Sequence, residues 1–68
     1  MIWERSGNTY YAAIQGADAA IAFYLIVEPI PSGEWDWTAW RPGDDMAAHG
    51  VAQTVQDAMK QAETFAAA

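Results

Sequence analysis

Residues 21–27 read Ile-Ala-Phe-Tyr-Leu-Ile-Val, the longest β-favouring apolar run in the chain, and its two faces differ in kind. Ile21, Phe23, Leu25 and Val27 form an apolar row, while Ala22, Tyr24, Ile26 and then Glu28 form a mixed one. Such a strand belongs in the middle of a sheet that packs one side on a core and leaves the other to solvent or a partner. Pro29 and Pro31, which have no amide hydrogen to give a ladder, close the run.

The flanking sequence supplies further strands. Residues 2–5 alternate apolar and charged side chains, Ser6, Gly7 and Asn8 suit a tight turn, and residues 10–15 resume an extended pattern. Gly16, Ala17 and Asp18 make the next turn, and Ser32 with Gly33 reverses the chain after the central run. Residues 34–41 alternate again, with Trp35, Trp37 and Ala39 on one side and Glu34, Asp36, Thr38 and Trp40 on the other. Pro42, Gly43, Asp44 and Asp45 then read as the end of the sheet, and the segment up to Gly50 as a loop.

A helix follows. Thr54 and Asp57 stand in capping-box spacing, and Val55, Ala58, Met59, Ala62, Phe65 and Ala66 share one helical stripe. Its alanines let the axis approach the large row of Phe23, Leu25, Trp35 and Trp37. The expectation is one α+β domain over residues 1–68: a four-stranded antiparallel meander with one C-terminal helix on one face, β-β-β-β-α.

A chain of 68 residues buries only about 60% of its unfolded surface, and without cysteine it has no disulfide or thiolate metal site to staple it. Its aromatic residues must carry much of the core. The amino terminus lacks a signal-peptide pattern, and the apolar run is too short to span a bilayer, so a cytoplasmic protein with no membrane partner is expected.

Nine acids against three bases give a formal charge of −6. Arg5, Arg41 and Lys60 are too few and too scattered to hold a phosphate backbone, which argues against direct nucleic-acid binding. An acidic surface is drawn instead to basic ones, including the grooves with which other proteins hold nucleic acid.

Catalytic and metal chemistry find little footing. His49 is the one imidazole in the chain, but one histidine with Asp44 and Asp45 on a loop falls short of a metal ligand set. Ser6 and Ser32 lie in turns without a nucleophile motif, the paired carboxylates Glu34 and Asp36 lack room for a deep cleft, and no phosphate-binding glycine loop is present. No cofactor and no catalytic residue is expected.

The second face of the sheet is the candidate site. Trp40 and Tyr24 would be its anchors, Ile26 and Thr38 its middle, and Asp36, Glu34 and Glu28 its acidic rim. Aromatic anchors give large contact area at small entropy cost, and a carboxylate rim selects a lysine- or arginine-rich partner. Three readings stay open: rings that merely shield the back of the sheet, a heterologous partner on this face or on the acidic segment 43–49, and a homodimer through the same patch.

Taken whole, a short, acidic, cysteine-free sheet-plus-helix chain resembles the small phage-encoded inhibitors called anti-CRISPR proteins. That resemblance lies in size, charge and architecture. It implies stoichiometric binding to a CRISPR effector, a ribonucleoprotein, over its basic surface. The run Gly50, Val51, Ala52, Gln53, Thr54, followed by Ala58 and Met59, also resembles the HicB antitoxin module, in which a sheet leads through a glycine into an alanine-rich helix. Asp44, Asp45, Met46 and Ala47 stand where that family carries a proline-rich stretch, and an appended DNA-binding domain is not expected. This second likeness implies a non-catalytic blocker of a small toxin.

Overall fold

A computed structural model describes residues 2–67. Five strands, β1 (Glu4–Ser6), β2 (Thr9–Gln15), β3 (Ile21–Pro29), β4 (Trp35–Arg41) and β5 (Asp45–Ala52), precede one helix, α1 (Val55–Ala67). The strands form a single antiparallel sheet in sequence order, β1-β2-β3-β4-β5. The expected meander therefore has five strands, not four, and β3 is its true centre.

The added strand is the segment read as a loop. Ala47, Ala48 and Gly50 give it little intrinsic β preference, and what holds it is its ladder to β4, from Trp35 opposite Ala52 to Arg41 opposite Asp45. A bulge between Ala39 and Trp40 shifts the register, so that Ala39 faces Ala48 while Trp40 faces Met46. Gly50 sits opposite Trp37 because nothing larger fits. A Cβ there would lie 2.5 Å from the Trp37 Nε1 and 2.8 Å from its Cε2.

That indole cannot swing away cheaply. Its Nε1 donates to Gln61 Oε1 of α1 at 2.8 Å, which ties β4 to the helix across β5. A second tie runs from Trp3 Nε1 to Glu63 Oε2 at 2.7 Å and draws the amino-terminal segment onto the helix flank.

The helix begins as its cap residues require. Thr54 Oγ1 accepts the Asp57 amide at 3.1 Å, and the Thr54 carbonyl accepts the Ala58 amide at 3.0 Å. Ala58 and Ala62 are fully buried and seat α1 across β3, β4 and β5. Beneath them lie Leu25, Val27, Trp37, Ala39 and Ala52, flanked by Phe23, Trp35, Val55, Met59 and Phe65. Phe23 and Phe65 meet edge to face with centroids 5.3 Å apart. Each large side chain buried there contributes roughly 1.5–3 kcal/mol. No helix among the described residues is long and apolar enough to cross a membrane.

Candidate open sheet face

Strand alternation sends Leu25, Val27, Trp37 and Ala39 to the helix, so their neighbours in sequence point the opposite way. The register then fixes the grid of that open face. One row runs Ala13, Tyr24, Trp40, Met46 across β2 to β5. The next runs Glu4, Tyr11, Ile26, Thr38, His49 across all five strands. A third, towards the β3–β4 turn, runs Glu28, Asp36, Val51.

The expected anchors thus share one surface: Tyr24 pairs with Trp40, Ile26 with Thr38, and Glu28 with Asp36. Glu34 does not join them. It precedes β4 in the reversal, where its carbonyl accepts the Ile30 amide and its carboxylate accepts the Ser32 hydroxyl at 3.0 Å. It borders the acidic end of the face rather than lying on it.

Trp40 carries a further restriction. Its Nε1 donates to Thr38 Oγ1 at 2.8 Å, which lays the indole along its own strand. The N–H is therefore occupied, and Trp40 offers a partner its ring rather than a hydrogen bond.

Sequence reasoning missed half of this surface. Tyr11, Tyr24, Met46 and Val51 are all exposed large apolar residues, and all four stand on the open face. Met46, His49 and Val51 come with the fifth strand, and Tyr11 comes with β2, where the alternation of Tyr10 and Tyr11 beside the apolar Ile14 is the signal that places it on this face.

The charge on the open face is of one sign. Glu4, Glu28 and Asp36 are on the open face, and Asp44 reaches its edge from the β4–β5 turn. The three cations lie elsewhere. Arg5 stands opposite Tyr10 and over its ring at 5.6 Å, Arg41 is paired with Asp45 at 3.0 Å, and Lys60 is on the helix. Among the described residues, no lysine or arginine belongs to the open face.

The histidine is exposed in mid-strand opposite Thr38 rather than in a flexible loop. Asp45 is four residues away and held by Arg41, a separation of about 13 Å at the rise of a strand. Among the described residues, no group of three His, Asp or Glu side chains is placed to hold a metal ion.

A groove of about 520 Å³ opens on this face over β2 and β3, bordered by Glu4, Tyr11, Ala13, Tyr24, Ile26 and Asp44, with Ala12 and Leu25 also in its lining. Comparison with protein-family models, curated proteins and solved structures finds no match for this chain.

Proposed function

We propose that this chain is a stoichiometric binding protein that uses its open sheet face to occupy a basic, nucleic-acid-holding surface of a larger protein or ribonucleoprotein, without turnover. One observation carries the reading: an aromatic centre of Tyr11, Tyr24 and Trp40 is bordered by Glu4, Glu28, Asp36 and Asp44, while Arg5, Arg41 and Lys60 are all placed off that face. Such a patch is built to meet cationic side chains and to desolvate their aliphatic stems.

The size of the face adds a condition. Five strands about 4.8 Å apart and some 20 Å long give roughly 500 Å² in projection, below the ~800 Å² per side of a standard interface. The rim turns, with Glu34 at one end and Asp44 at the other, belong to the contact.

The likenesses drawn from the sequence give this mechanism two targets: a CRISPR effector complex for the anti-CRISPR type, and a small toxin for the HicB type. Binding of the purified chain to each target at low and high salt tests the reading. Affinity for one of them is expected to fall steeply as salt rises and at least tenfold in Glu28→Gln/Asp36→Asn. Salt-independent binding, or full affinity in that double variant, contradicts the reading; sedimentation as a dimer that buries Tyr24 and Trp40 replaces it with self-association.

A further inference from the structure

We infer that the groove between Tyr11 and Tyr24 is a receptor for a single arginine side chain of the basic partner, an inference that rests on the open face being the docking surface. On the grid, Tyr11 is opposite Ile26 and Tyr24 is opposite Ala13, so the two tyrosines stand on the diagonal of one four-residue square. Diagonal neighbours on antiparallel strands are about 7–8 Å apart. At that backbone spacing two aromatic side chains can both reach a group seated between them.

Of the other two corners, Ile26 walls the groove and Ala13 leaves it open. Ala13 is a small floor residue, and Ala12 and Leu25 turn their side chains to the buried side, giving the floor only their backbone. Both tyrosines keep about two-fifths of their surface exposed, and neither has a side-chain partner among the hydrogen bonds of the described residues.

The charge is placed to match. Glu4 and Asp44 line the groove, and among the described residues neither has an ion pair or a side-chain hydrogen bond, in contrast to Asp45, which Arg41 holds. Asp44 is brought there by a turn in which Gly43 and Asp44 both take left-handed backbone angles, φ 92° and 62°. A planar cation with several N–H groups satisfies two rings and two separated carboxylates at once; a lysine ammonium, a compact point charge, meets the carboxylates but cannot stack.

The test uses the full chain and two probes, nona-arginine and nona-lysine peptides, with amide chemical shifts recorded during titration. Arginine peptide is expected to bind at least threefold tighter than lysine peptide, with the largest shifts at residues 4, 11, 13, 24, 26 and 44. Tyr11→Ala/Tyr24→Ala and Glu4→Gln/Asp44→Asn are each expected to lose at least tenfold, while Tyr11→Phe/Tyr24→Phe, which keeps the rings, retains the affinity and confirms an intact fold. Equal affinity for the two peptides, or affinity that survives both groove variants, overturns the arginine receptor. If Glu28→Gln/Asp36→Asn then still weakens binding, the open face stands without the groove; if no variant on the face matters, both readings fall.

Discussion

Trp37 and Trp40 lie three residues apart on one strand and live in different worlds. Trp37 is 7% exposed, rests on Gly50 and gives its N–H to the helix; Trp40 is half-buried, faces away from the helix and gives its N–H to Thr38 of its own strand. The first ring ties three elements together. The second makes its side-chain hydrogen bond within β4 and stands half-buried between Tyr24 and Met46 on the open face. The same contrast runs along β3, where Leu25 and Val27 are fully enclosed while Tyr24 is exposed and Ile26 only half-covered. A single helix covers one side of β3, β4 and β5 and none of the other, so the enclosed contacts gather beneath it while Tyr11, Tyr24 and Trp40 stand with Glu28 and Asp36 on the bare side.

The largest effect that would break this contrast is a pair of adjacent truncations. Leu25→Ala is expected to cost about 2–5 kcal/mol, about half of the roughly 3–10 kcal/mol that a chain of this length commands, and Ile26→Ala about 1 kcal/mol. Thermal unfolding checks both. Equal losses would mean that the open face is packed after all.

A smaller pair sharpens the account of β5. Gly50→Ala pushes a methyl into the indole that Gln61 anchors and is expected to cost about 1–3 kcal/mol, whereas Val51→Ala, one residue along on the open side, changes stability by about 0.5 kcal/mol. Denaturant midpoints of the two variants separate them; a neutral Gly50→Ala would show that Trp37 is free to move.

Much of the scaffold was legible because the side chains there are large and periodic. The two-sided pattern of residues 21–27, the split of Trp37 from Trp40, the Thr54 cap and the stripe of Val55, Ala58, Met59, Ala62, Phe65 and Ala66 all appear in the structure as read. The fifth strand was not, because alanine, glycine and histidine carry no alternation, and Gly50 looks like a chain breaker until its cross-strand partner is known. The signal lay next door. Pro42, Gly43 and Asp44 are hairpin-turn residues, and a hairpin implies a returning strand. That strand brings Met46, His49 and Val51 to the open face, and its turn brings Asp44 to the groove over β2 and β3. Glu34, expected in the acidic rim, lies one residue before β4 in the turn, where the Ser32 hydroxyl donates to its carboxylate.

The central claim is that the helix side holds the molecule together and the bare side recognises its partner. The direct test measures melting temperature and affinity for nona-arginine on the same preparations of Trp37→Ala and Trp40→Ala. Trp37→Ala is expected to lose about 3–5 kcal/mol of stability, a drop of well over 10 °C, and Trp40→Ala to melt within about 5–8 °C of the parent while losing most of its affinity. A Trp40→Ala protein that melts as low as Trp37→Ala, or one that binds the peptide as tightly as the parent, would contradict it.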